Sequence, residues 1–149
     1  VSNISITIDG MDGVQAALKS FAKEAEAGIA TAITATALEI NTEIKKMIQR
    51  GPKTGVVYRR GGGQNLSSEH QASAPGEAPA TDTGALVSSV YFEQTNKLTA
   101  TIGSRLAYAY YLEFGTRYIA PRPAWVPATE KGRPKLVKRI DAALRKAAK

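Results

Sequence analysis

The spacing of apolar residues changes several times along the chain, and each change marks an element. Ile4, Ile6 and Ile8 alternate with Ser5, Thr7 and Asp9, the pattern of a half-buried strand closed by an Asp9-Gly10 turn. From Asp12 the period lengthens: Val14, Leu18, Phe21, Ala25, Ile29, Ile33, Ala37, Ile40, Ile44 and Met47 or Ile48 recur every three or four residues. That spacing predicts one amphipathic helix over residues 13–49, about 55 Å long at roughly 1.5 Å per residue. Asp12 is placed to cap it, Lys45, Lys46 and Arg50 suit its negative end, and Gly51-Pro52 stops it. Gly28 is a candidate kink. Between Ala25 and Ala37 the stripe is mostly alanine and threonine, so a neighbouring backbone must approach closely there or a partner subunit must cover it.

Residues 51–83 lose this patterning. They are rich in Gly, Pro, Ser and Ala, hold few large apolar groups, and read as a long flexible or extended arm that contributes nothing to a core. A brief strand at Val56-Val57-Tyr58, turning at Gly61-Gly62-Gly63, is the only regular feature expected. After Gly84 order returns. Leu86, Val90 and Phe92 share a face, Thr95-Asn96-Lys97 makes a turn, and Leu98, Ala100 and Ile102 alternate with Thr99 and Thr101. This is an antiparallel hairpin, entered through a helical turn at residues 85–88. Residues 107–114 fit either a strand or one to two helical turns, and Gly115 ends them. Beyond Pro127, Leu136, Val137, Ile140 and Leu144 form a 3.6-period stripe interrupted early by Pro134. The expected fold is α+β, a single domain over residues 1–149. A small antiparallel sheet of three to four strands carries a long N-terminal helix packed on it, with a basic C-terminal helix beside them.

The densest stretch is residues 107–127, which holds four of the six tyrosines, the single tryptophan and three of the seven prolines. Aromatic side chains carry the largest burial per residue, so such density marks a core hinge or a contact surface. Glu113, set among apolar neighbours, needs a partner if buried: Arg117, Arg122 or a backbone donor near Gly115. A structural ion pair or cap outweighs catalysis for it. The candidate interface residues are Tyr108, Tyr111, Glu113, Phe114, Arg117, Tyr118, Arg122 and Trp125; arginine among tyrosines can stack or grip a carboxylate across an interface.

Charge adds a second feature. Residues 130–149 carry eight Lys and Arg against two acids, while residues 1–129 carry twelve against eleven, so the net +7 belongs almost wholly to the last helix. Lys138, Arg139, Arg145 and Lys146 are its candidate contacts with DNA or an acidic partner, and a small basic nucleic-acid-binding protein is the alternative reading of the chain. With no cysteine and one histidine, neither thiolate nor His-cluster metal chemistry is expected, and no catalytic residue, cofactor or metal ligand is assigned. His70 falls in the most loop-like part of the chain, where nothing rigid aims it as a base. Gly61-Gly62-Gly63 lacks the Lys-Ser or Lys-Thr of a phosphate loop. Asp9 and Asp12, and Glu77 and Asp82, sit where turns use short acids. No membrane-length apolar run and no signal peptide is present, so a soluble, cytoplasmic chain is expected.

Taken together, SAPGEAPATDTGALVSSV, YAYYLEFGT and the following APRPAWVPA resemble the tail-completion or neck proteins of long-tailed double-stranded DNA bacteriophages. The resemblance rests on order and spacing: a long first helix, Pro-Gly-Glu-x-Pro before Thr-Gly-x-Leu, Glu-Phe-Gly-Thr, then a last helix. It departs at Trp125, where that family more often has phenylalanine nearer the proline. What it implies is a structural virion protein, not an enzyme, assembled in the host cytoplasm. It would form a ring, a hexamer, at the head-proximal end of the tail and join it to the head. Its implied partners are copies of itself, other neck and tail proteins, and the genomic DNA passing through the channel, with no membrane.

Overall fold

A computed structural model describes residues 11–60 and 68–149. Helix α1 (Met11–Arg50) is unbroken and roughly 60 Å long at about 1.5 Å per residue. It begins two residues earlier than expected, so Asp12 lies inside the first turn, where its charge favours the helix dipole. Strands β1 (Val57–Arg60) and β2 (Ser68–Gln71) form one antiparallel ladder; β3 (Val90–Asn96) and β4 (Thr99–Ser104) form another. Helix α2 (Ala85–Ser89) leads into β3, α3 (Tyr108–Phe114) follows β4, and α4 (Trp125–Ala147) closes the chain.

The α+β class is as expected, with a long N-terminal and a basic C-terminal helix, but the single sheet is not. The four described strands divide into two separate two-stranded sheets. Both strands of the first ladder, VYRR and SEHQ, are mostly polar and lack an apolar face that would seat them beside the second. The expected strand at Ile4–Ile8 lies outside the described residues.

The core gathers around the C-terminal half of α1. Ile44 and Ile48 are fully buried and meet Leu86 and Val87 of α2, Val90 of β3, Ala109 of α3, and Ala124 and Ala128 at the start of α4. Each fully buried isoleucine contributes about 2–3 kcal/mol. Ala78 belongs to this cluster, and Ser73 and Pro79 are buried beside it. Residues 72–81 are therefore docked on the body, contrary to the expectation that residues 51–83 add nothing to the core. Small side chains are what permit it. The docking is made polar-satisfied by the Glu77 carboxylate, which accepts from the Thr54 and Ala74 N–H groups and the Thr54 hydroxyl, and by the Thr81 hydroxyl, which donates to the Ile48 carbonyl.

Helix α4 lies antiparallel along α1, and small residues set the close approach. A Cβ at Gly132 would sit 2.5 Å from Ile40 Cγ1, and one at Gly28 would sit 2.8 Å from Ala143 Cβ. Gly28 thus marks a contact within a continuous helix, and the Ala/Thr stripe of α1 is covered by α4. Pro134 falls inside α4, which starts at Trp125 and runs through both Pro127 and Pro134. Basic side chains of α4 bridge to α1: Lys131 Nζ lies 2.5 Å from Glu43, Lys135 Nζ lies 3.2 Å from Glu39, and Arg139 binds both Glu39 and the buried Thr36 hydroxyl.

These bonds hold three carboxyls below their ordinary range. Arg139, then Lys135, lowers Glu39; Lys131 lowers Glu43; the Thr54 hydroxyl, then the Ala74 N–H, lowers Glu77. A depressed folded-state pKa gives stability that is complete above the unfolded value, about 4.3 for Glu, and is lost as pH falls through the folded value. Carboxyl titration followed by NMR is expected to place these three midpoints below that of an unperturbed glutamate, with the urea midpoint declining as pH falls through them.

Candidate interaction surface

The step Glu113-Phe114-Gly115-Thr116 ends α3, and each residue has a separate task. Ala109, Leu112 and Glu113 turn inward at helical spacing, which settles the strand-or-helix ambiguity in favour of a helix. Glu113, buried at 6 % exposure, accepts the N–H groups of Ala124 at 2.7 Å, Trp125 at 3.0 Å and Val126 at 2.7 Å. Helix α4 has no side-chain cap of its own, and the fourth residue of its opening turn is Pro127, which has no N–H. One carboxylate therefore satisfies every orphan donor of that turn and places a negative charge on the positive end of the helix. An ion pair with Arg117 or Arg122, or a backbone donor near Gly115, was expected for Glu113; its partners are instead backbone N–H groups eleven to thirteen residues downstream.

Gly115 makes this return possible. Its φ of 75° and ψ of −179° fall in a region essentially restricted to glycine, and a Cβ there would lie 2.8 Å from the Ile119 carbonyl oxygen. The Thr116 hydroxyl then accepts from the N–H groups of Tyr118 and Ile119, closing a compact turn. The extended segment 120–124 is pinned twice by Arg122, whose backbone N–H donates to Leu112 and whose Nε donates to the Ser73 carbonyl at 3.1 Å. The Gly76 N–H donates to the Pro121 carbonyl, so the Pro75-Gly76-Glu77 turn and the Pro121-Arg122-Pro123 segment brace each other.

On this braced platform the aromatic side chains point outward. Tyr108, Tyr110, Tyr111, Phe114 and Tyr118 are 44–78 % exposed. Tyr110 and Phe114 are one helical turn apart with ring centroids at 4.9 Å, Tyr110 meets Tyr111 edge-on at 5.9 Å, and the Arg117 guanidinium stacks 4.4 Å above the Tyr118 ring and binds its hydroxyl. Beside them runs a groove of about 360 Å³ lined by Leu106, Ala109, Tyr110, Phe114, Trp125 and Val126. Of the eight residues singled out in sequence, the structure places Tyr108, Tyr111, Phe114, Arg117 and Tyr118 at the surface. Glu113 and Arg122 are engaged internally, and Trp125 is half-buried against the core. Sequence reasoning missed Tyr110 and Val126. The four-residue spacing of Tyr110 and Phe114 was the available signal for the first.

The basic helix also divides. Arg139 is bound to α1 and Arg145 to Asp141 one turn earlier, whereas Lys138 and Lys146 have no acidic partner among the described residues. Three of the seven basic side chains of α4, Lys131, Lys135 and Arg139, thus hold it to α1. His70 lies on strand β2, not in an unstructured loop, with Nδ1 3.7 Å from Asp82, in a cleft that also includes Tyr58, Tyr108 and Arg122. Among the described residues no helix is long and apolar enough to cross a membrane, and no group of three acidic or histidine side chains could hold a metal ion.

No curated protein and no solved structure matches the chain. Residues 12–115, from the first turn of α1 to the glycine after α3, do match a family model described as "Bacteriophage HK97-gp10, putative tail-component". The match covers well over half of the chain and includes the Glu-Phe-Gly step, the Pro-Gly-Glu turn that braces it and the long helix that supports both. By that match, the chain belongs to the HK97-gp10-like family of bacteriophage tail components.

Proposed function

We propose that this protein is a tail-completion or neck subunit that works in the virion, forming a ring, a hexamer, at the head-proximal end of the tail and joining it to the head. The observation that carries the reading is the exposed aromatic face of α3 and the 116–118 turn. Five large rings face solvent on a backbone held rigid by the Glu113 cap and the Arg122 bridges. Aromatic and arginine side chains presented with little entropy left to lose have the character of an interface centre. Copies of the chain and neighbouring neck or tail proteins are the partners, and the genome passes through the channel. Of the four candidate contacts on the last helix, Lys138 and Lys146 are left to meet DNA or an acidic neighbour, with Arg139 and Arg145 largely committed within the subunit.

Replacing Phe114 or Tyr118 with serine tests this. Both side chains are exposed, so unfolding by urea is expected to be almost unchanged, while association weakens by about 2 kcal/mol or more, some thirtyfold. The readout is in vitro joining of heads to tails that lack this protein. Folded variants that restore joining at the normal rate would remove this surface from the function.

A further inference from the structure

A second apolar surface lies at the opposite end of the molecule. Helix α4 ends at Ala147 beside Glu24 and Ala27 of α1, and the turn of the β3–β4 hairpin reaches α1 no further than Glu26, to which Lys97 is paired at 3.3 Å. Residues 12–24 extend past both and are exposed throughout. On this overhang Val14, Leu18 and Phe21 stand at i, i+4 and i+7, in phase with Ala25, Gly28 and Ala32, so they continue the same seam that α4 covers further along. Where α4 docks, the seam is small; where no described element docks, it carries three large side chains. Of the charges of the overhang, Asp12, Lys19 and Lys23 fall on its opposite side by helical phase, and Glu24 flanks the stripe three residues after Phe21.

Resting on the reading of the chain as an assembling subunit, we infer that this stripe is the plug for the aromatic groove of a second copy, so that Val14, Leu18 and Phe21 of one chain enter the groove formed by Ala109, Tyr110, Phe114, Trp125 and Val126 of the next. Three observations identify the occupant. Anchors at i, i+4 and i+7 are what a helix offers to an apolar groove. Among the described residues the only charged side chain lining that groove is Glu113, whose carboxylate is already taken by three backbone N–H groups, so an uncharged stripe meets an effectively uncharged wall. Finally, the two surfaces cannot meet within one chain. The groove lies level with Ile44, about 40 Å along α1 from Leu18 at roughly 1.5 Å per residue. Pairing stripe with stripe across a two-fold axis leaves the groove open, and pairing groove with groove leaves the stripe open. A head-to-tail contact covers both, and contacts of that kind close into a ring when the rotation between copies closes and run on as an open helix when it does not.

The chain contains no cysteine, which allows a direct test. Leu18→Cys and Phe114→Cys change exposed positions, and unchanged melting of each variant checks that folding is intact. The two are mixed at concentrations where light scattering reports an oligomer, or on assembled tails, and treated with a short bis-maleimide. The expected product is a cross-linked dimer that appears in the mixture and in neither variant alone. A chain carrying both changes is expected to give a ladder ending at the subunit number of the closed ring. An oligomer that forms without a product in the mixture, or Leu18→Cys chains that cross-link to each other, would overturn this pairing while leaving the proposed function standing. Absence of any oligomer, alone and on tails, would remove both.

Discussion

Glu113→Ala is expected to lower stability by about 3–5 kcal/mol, the largest effect of any single carboxylate in the chain. The change removes the acceptor of three N–H groups at once, and each buried donor left without a partner costs about 1–3 kcal/mol. Water reaches Trp125 and Val126 more easily than Ala124, which keeps the total below the sum of three full penalties. For a domain of this size the loss corresponds to a fall in melting temperature of roughly 10 °C. Glu113→Gln keeps one acceptor but turns an amide N–H₂ toward a helix donor, so it is expected to fall between the wild type and the alanine variant. Urea unfolding with an unchanged slope is the measurement. A loss below about 1 kcal/mol for Glu113→Ala would show that α4 starts without this cap.

Gly115→Ala is expected to cost about 3 kcal/mol or more, through two effects that can be separated. The backbone conformation itself is penalised by about 1–3 kcal/mol for any residue with a side chain. In addition, the new methyl meets the Ile119 carbonyl oxygen at 2.8 Å and the Pro121 nitrogen at 3.0 Å, and neither belongs to a flexible side chain that could yield. Gly76 supplies the control. Its φ of 85° is also in the left-handed region, yet nothing lies within 4 Å of its missing Cβ, so Gly76→Ala should show only the conformational part, about 1 kcal/mol. Equal losses for the two variants in urea would mean that the tight corner after α3 does not depend on close packing.

Legibility in the sequence followed side-chain size. The long helix and the β3–β4 hairpin were readable because large apolar residues repeat at 3.6 or at 2. The docking of residues 72–81 was not, because Ser73, Ala78 and Pro79 are the small residues that composition assigns to loops, and only the shape of the surrounding core gives them burial. Pro134 reads as a breaker, but α4 begins nine residues earlier, and its packing along α1 outweighs one missing hydrogen bond. The chemical need of Glu113 for a partner was readable from its apolar neighbours. The partner itself was not, since a turn at Gly115 and two prolines had to be folded before Ala124, Trp125 and Val126 came within reach.

The cap and the interhelical bonds also differ in how far along the chain they reach, with consequences during synthesis. Glu113 finds its donors within thirteen residues, so α3, the segment after it and the start of α4 can form as a local unit almost as soon as they are made. Arg139 finds Thr36 across 103 residues. Until α4 has left the ribosome, the seam of α1 has nothing of α4 to cover it, and a long amphipathic helix waits with that side open to water or to other chains. Even afterwards, residues 12–24 stay exposed, so the feature that opens a nascent chain to misassociation is the same one that the inferred head-to-tail contact would use.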